Sequence, residues 1–231
     1  MKTIIETDSE FICDIQSPCF QNLTQEEILL VRESKTQVLF RKGDNLTKQG
    51  TFASYVLFVL KGFAVQYIEG DNNKSFNLRI NRPGGFIGLS SVFTKNTFDY
   101  SSVALTDCQA FLIEKDSISE IIKNNGTFGF GIIKRYCEEN TNLYDRLSTI
   151  LYKQMNGRMA DVLLYLNDFK PEFPEVFELL GRKDIANFAG ITTESTVKIL
   201  KSFEKDGLIR LTNKDIELLK TLEIKEISKK G

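Results

Sequence analysis

The stretch Arg182-Lys183-Asp184-Ile185-Ala186-Asn187-Phe188-Ala189-Gly190-Ile191-Thr192-Thr193-Glu194-Ser195-Thr196-Val197-Lys198-Ile199-Leu200 decides how the whole chain is read. It spells two short helices joined by a tight turn at Ala189-Gly190-Ile191, with Thr192 placed to cap the second. A helix-turn-helix needs a small residue where the helices cross, a glycine at the turn and apolar positions that lock the angle. Ala186, Gly190 and the trio Ile185, Ile191 and Ile199 meet those needs. The second helix is two-faced: Thr196, Ile199, Leu200 and Phe203 share one stripe, and Glu194, Val197, Lys198 and Lys201 the opposite one. Gly207 ends it, and the residues from Leu208 to Leu218 read as two short strands around a turn, the wing of a winged helix.

A recognition helix presents its N-terminal residues to base edges in the major groove of DNA. Glu194 is suited to accept from a cytosine amine and Lys198 to donate to guanine. Thr192, Thr193 and Val197 sit beside them, where a hydroxyl or methyl meets a phosphate or a thymine methyl. Arg182, Lys183, Lys201 and Lys205 are candidate phosphate contacts, which orient without reading sequence. The bland alternative is an amphipathic helix pair with a solvated charged face. From Arg182 to Lys214 there are seven basic residues against four acidic ones, a modest local surplus.

Upstream, Gly157 breaks the pattern, and Met159–Phe169 reads as a helix ended near Pro171 and Pro174. Before it, Ile132, Ile133, Tyr136, Leu143, Leu147, Ile150 and Leu151 recur close to helical spacing over about Thr127 to Gln154. A helix of that extent is about 40 Å long at roughly 1.5 Å per residue. Its apolar stripe needs a partner, and a second copy across a two-fold axis is the simplest. From Thr36 to Glu114 the chain reads as short strands: Val38–Phe40, Tyr55–Leu60, Phe63–Ile68, Phe76–Ile80, Ser102–Leu105 and Ala110–Ile113. Turn signals at Lys42-Gly43-Asp44, Gly70-Asp71-Asn72 and Arg82-Pro83-Gly84-Gly85 separate them. That pattern implies a double-sheet jelly roll or small barrel. Thr24 and Glu27 have capping-box spacing and predict a short helix to about Ser34.

The 231 residues carry 30 Lys+Arg against 31 Asp+Glu, four Cys and no His. Without histidine there is no Ser-His-Asp or Cys-His nucleophile and no His-liganded zinc or haem. No pair of carboxylates sits in a recognisable catalytic motif, so the expectation is a protein that is not an enzyme. No stretch is long and apolar enough to span a membrane and the N-terminus is too soon acidic for a signal peptide, so a cytoplasmic location with reduced thiols is expected.

Taken together, these features resemble the Crp/Fnr family (cyclic-AMP receptor protein and fumarate-nitrate reductase regulator) of bacterial transcription factors. The resemblance is carried by Gly85-Phe86-Ile87-Gly88, Ala104-Leu105-Thr106-Asp107-Cys108, Arg182-Lys183-Asp184-Ile185-Ala186 and Gly190 to Leu200. It implies an α+β chain with three parts. Residues 1–125 hold an N-terminal segment and a cyclic-nucleotide-binding-like β-roll sensor, 126–153 a long dimerisation helix, and 154–231 a winged helix-turn-helix domain. The resemblance also implies a homodimer seamed by Ile133, Tyr136, Leu143, Leu147, Ile150 and Leu151, double-stranded promoter DNA as partner, RNA polymerase as a further one, and no membrane. Glu194 and Lys198 stand where the family's base-reading Glu and Arg stand. Lys cannot form the bidentate fork that Arg makes with guanine, so the half-site is not carried over.

Cyclic-nucleotide binders of the family hold the ribose and cyclic phosphate with a Gly-Glu pair and, about ten residues later, Arg-Ser. Here Gly88 is followed by Leu89, and Phe98-Asp99 replace Arg-Ser, so cyclic AMP is not expected to bind through the usual contacts. An unknown small-molecule effector would meet a lining of Phe86, Gly88, Leu89, Phe93, Phe98, Asp99 and Tyr100. The alternative is that these rings fill a core. An iron-sulfur cluster needs about four thiolates. Cys13 and Cys19 match two of the family's cluster ligands, but Glu10 stands at the first and Phe111 at the sensor-domain ligand. No cofactor is therefore expected, haem included. Two alternatives remain: a redox or iron-sulfur regulator using Cys13 and Cys19, and an effector-binding or protein-docking module with degenerate DNA binding.

Overall fold

The computed structural model describes residues 1–9, 11–12, 20–71, 74–213 and 215–231. Glu10, Cys13, Cys19, Asn72 and Lys214 lie outside the described residues. The chain forms two compact units, Met1–Asn140 and Thr141–Gly231.

Among the described residues, the first unit is built on nine strands: β1 (Lys2–Ile4), β2 (Lys35–Phe40), β3 (Asn45–Thr47), β4 (Tyr55–Lys61), β5 (Ala64–Glu69), β6 (Ser75–Asn81), β7 (Phe86–Ile87), β8 (Ser101–Ala104) and β9 (Cys108–Glu114). They make a five-stranded sheet in the order β1-β2-β9-β4-β7 and a four-stranded sheet in the order β3-β8-β5-β6. Around them lie helix α1 (Gln25–Glu33), helix α2 (Lys115–Asn124) and the first half of the long α3 (Gly126–Tyr152). The double-sheet roll expected from the sequence is observed, and all six expected strands are present. Short strands β1, β3 and β7 add to them.

Alternation along two central strands explains the layering. In β4, Leu57 and Val59 face the interior between the sheets, where Ala64, Ala104, Cys108 and Ala110 join them. Val56 and Phe58 face the opposite side, together with Phe111 and Ile113 of β9. There they meet Val31 of α1, Ile118 and Ile121 of α2, and Phe128 and Ile132 of α3. A sheet covered on both faces has no polar side to show, which is why Tyr55–Leu60 reads as an uninterrupted apolar run. The capping box of α1 forms as its spacing predicts: Thr24 Oγ1 accepts from Glu27 N at 3.3 Å, and Glu27 Oε2 accepts from Thr24 N at 2.8 Å.

The second unit holds the rest of α3, then α4 (Met155–Asn167), α5 (Val176–Leu179), α6 (Arg182–Ala189), α7 (Thr193–Lys205), a hairpin of β10 (Ile209–Thr212) and β11 (Asp215–Leu218), and α8 (Thr221–Lys230). Two sequence expectations are corrected here. Gly157 does not break the pattern. The break falls at Lys153–Gln154, and Gly157 is buried inside α4, where a Cβ would come within 2.8 Å of Gly231 Cα. The glycine is needed for the close packing of α4 on α8. Ile132, read as part of the apolar stripe that needs a partner outside the chain, is instead 3% exposed in the core of the first unit. Asp161 of α4 ties this unit together, taking hydrogen bonds from Thr149 at 2.9 Å, from Lys153 at 2.8 Å and from Ser228 of α8. None of the described helices is long and apolar enough to cross a membrane.

Candidate functional site

Helices α6 and α7 form the helix-turn-helix in the way their residues dictate. Gly190 closes α6 at φ 62°, a left-handed conformation that glycine takes without a side-chain clash. Thr192 caps α7, accepting from Ser195 N at 3.1 Å. Ile185, Ala186, Phe188 and Ala189 of α6 are buried with Thr196, Ile199, Leu200 and Phe203 of α7. On the other side of α7, Thr193, Glu194, Lys198 and Lys201 are exposed and Val197 is half-buried. The two stripes read from the sequence therefore separate in the structure.

The basic residues divide into two groups. Lys183, Lys198, Lys201 and Lys205 are exposed, and none of them enters an ion pair among the described residues. Arg182 is half-buried; burial works against its charge, with Glu204 opposing that effect. Arg210 is paired with Glu217 across the hairpin at 2.8 Å. The hairpin itself is held to the end of α7 by Glu204, whose carboxylate accepts from Leu211 N at 2.9 Å. The wing expected from Leu208 to Leu218 is thus a paired, anchored ribbon.

The residues expected to line one effector pocket fall into three places. Phe86 and Leu89 are buried in the core shared with the helices. Phe98 and Tyr100 pack against the interior between the sheets, the Phe98 ring standing where a Gly88 side chain would be. Phe93 is 57% exposed and Asp99 is exposed, accepting from Ser90 Oγ at 2.8 Å. The turn Leu89–Val92 carries Phe93 outward, which corrects its expected place in the lining. Tyr100 Oη accepts from Gly88 N at 2.8 Å, and burial pushes the phenol's pKa up, with Gly88 and Arg79 opposing.

Sequence reasoning missed a polar group beside Tyr100. Arg79 of β6 donates from Nε to Gln66 Oε1 of β5 at 2.8 Å and pairs with Glu139 of α3 at 2.9 Å. Arg135, one turn before Glu139, stands 3.8 Å from the same carboxylate. A polar residue at an inward strand position, such as Gln66 between Ala64 and Ile68, is the signal that could have found it.

Along the exposed side of α3 lie Ile133, Tyr136, Leu143, Leu147 and Leu151, each 46% to 62% exposed, with Ile150 half-buried. Phe130 and Tyr144 extend the same apolar side. Cys108 is buried in β9, and burial raises its thiol to about 11, while Cys137 of α3 is exposed.

Residues 37–125 match the model of the cyclic nucleotide-binding domain, and residues 157–227 match that of the Crp-like helix-turn-helix domain. Among curated proteins, the chain is similar to the transcriptional regulator SdrP of Thermus thermophilus, with 22% identity over 74% of this chain and 82% of that one. It is also similar to the cyclic AMP receptor protein of the same organism, at 19% identity over 92% and 97% of the two chains. Among solved structures, a regulator of the Crp/Fnr family from Eubacterium rectale superposes with a TM-score of 0.76 at 18% identity, covering 92% of this chain and 98% of that one. With a cyclic nucleotide-binding domain followed by a Crp-like helix-turn-helix, the chain belongs to the Crp/Fnr family of transcriptional regulators.

Proposed function

We propose that the protein is a homodimeric, sequence-specific DNA-binding regulator whose sensor roll answers to an effector other than cyclic AMP, and that it has no enzymatic role. The observation that carries this reading is the separation of faces on α7, with Glu194, Lys198 and Lys201 turned to solvent and the apolar stripe buried. That is the presentation a major groove requires. The apolar side of α3 supports a dimer seamed by Ile133, Tyr136, Leu143, Leu147, Ile150 and Leu151, giving one recognition helix per half-site. Two features argue against cyclic AMP. The segment from Gly88 to Tyr100 offers Leu89, Phe98 and Asp99 where a cyclic phosphate needs a cation. The Phe98 ring also occupies the space beside Gly88. Effector binding acts by shifting a population between arrangements of α3, and so of the two recognition helices. RNA polymerase is the partner through which such a regulator acts.

Selection of duplexes from a random DNA library by the full chain tests this. The expected result is a two-fold symmetric site whose affinity falls steeply with salt, together with no micromolar heat of binding for cyclic AMP. Recovery of no enriched sequence would defeat the DNA reading, and micromolar cyclic AMP binding would defeat the effector reading.

A further inference from the structure

On the inner face of the four-stranded sheet, Ser102 of β8 is paired with Gln66 of β5, and Gln66 with Arg79 of β6. Ala104, Ala64 and Asn81 form the neighbouring row, two residues along each strand, and both alanines belong to the core between the sheets. Alternation therefore puts Ser102, Gln66, Arg79 and Asn81 on that same inward face.

Two of these groups are unsatisfied. Among the described residues, Ser102 Oγ, on a residue with 0% exposure, and Asn81 Nδ2, on one with 5%, have no hydrogen-bond partner. Buried polar atoms are nearly always paired, so two orphans on one face mark a place made for something else. Both can donate. Next to them the Arg79 guanidinium is held in position by Gln66 and reaches the Glu139 carboxylate at 2.9 Å. Hydroxyl, carboxamide and guanidinium donors on one inner face select a ligand rich in acceptors and negatively charged.

We infer that Glu139 is a built-in stand-in for an anionic effector: a carboxylate or phosphate group enters the roll, replaces Glu139 on Arg79 and takes hydrogen bonds from Ser102 and Asn81. The inference rests on the reading that the roll receives an effector, and it adds the effector's chemical class and the contact it displaces. Because Glu139 belongs to α3 and Arg79 to β6, the exchange removes a tether between the long helix and the sheet. A guanidinium already neutralised by its own carboxylate binds outside anions weakly, so the unliganded protein keeps the tether.

Calorimetry on the full chain at constant ionic strength tests the exchange, with orthophosphate as one probe and succinate as the other. Glu139→Gln keeps the shape of the side chain and removes its charge, and Glu139→Ala is the second variant in case the first folds poorly. The expected result is at least tenfold tighter binding of one probe than in the wild type, phosphate or succinate according to the effector's head group. The gain should vanish in the double variant Arg79→Gln, Glu139→Gln. Equal affinity of wild type and Glu139 variants for both probes overturns the inference, as does a gain that survives loss of Arg79. Binding of the selected duplex is measured on the same preparations. Loss of DNA binding by the wild type would sink the regulator reading alone, and an absent anion gain with intact DNA binding would sink this inference alone.

Discussion

Arg146 of α3 donates to the backbone carbonyl of Phe188 in the last turn of α6, and its guanidinium stands 6.0 Å from the centre of the Phe188 ring. The final carbonyls of a helix have no partner within it and carry the negative end of its dipole, so a cation placed there satisfies both. Burial works against the charge of Arg146, with Tyr165 and Asp161 opposing that effect. Arg146→Ala should lower the stability of the second unit by about 1–3 kcal/mol. Urea unfolding of the full chain checks this, and an unchanged midpoint would show that water replaces the contact at no cost.

On α7, the two kinds of contact have different signatures. Lys198→Ala should cost about 1–3 kcal/mol on the selected duplex and relax the preference at one base pair. Lys183→Ala or Lys201→Ala should weaken every duplex alike and lower the salt slope by about one. Fluorescence anisotropy over a salt series separates them. The assignment of roles fails if Lys198→Ala leaves the base preference intact.

For the seam, Leu147→Glu places a charge on a leucine that is 54% exposed in the single chain. A charge facing its own copy across a two-fold axis is desolvated without a partner. Sedimentation should show a shift from dimer to monomer, with at least a tenfold loss of affinity for a symmetric site. A variant that remains dimeric would place the seam elsewhere.

The pH dependence of stability has one readable contributor in Cys108. Its folded thiol is raised to about 11 by burial, above the ordinary value of an unfolded cysteine. The native state thus binds the proton more tightly. The stability linked to Cys108 is fully present below the unfolded pKa and is lost as pH rises from about 9 towards 11. Cys108→Ala should flatten the decline of melting temperature in that window, and an unaltered decline would assign it to other groups.

Thr196 is fully buried in the crossing of α6 and α7, and its Oγ1 has no hydrogen-bond partner among the described residues. Thr196→Val keeps the branched shape and removes the orphan, so it should be neutral or stabilising by up to about 1 kcal/mol with DNA affinity unchanged. A loss of stability would reveal a bound water at that hydroxyl.

Local signals carried most of the architecture. Thr24 with Glu27 and Gly190 with Thr192 act over a few residues, so propensity and capping chemistry expose them directly. Longer-range geometry was hidden. Gly157 looks like a breaker because composition does not show that α8 lies against it. Phe93 and Phe98 are alike on paper, and only the turn Leu89–Val92 sends the first to solvent and leaves the second on the core. Arg79 and Glu139 are far apart in sequence, and their pairing depends on strand register and on how α3 lies along the roll, which no short window contains.

The two-sided burial of β4 and β9 sets a limit on how the first unit can open. Phe58 and Phe111 serve the helical layer while their neighbours Leu57 and Ala110 serve the interior. Both layers are therefore anchored on the same two strands, and unfolding those strands exposes both cores at once. Cooperative units of this kind open together or not at all. Hydrogen exchange in the central strands and in α2 should accordingly share one opening energy.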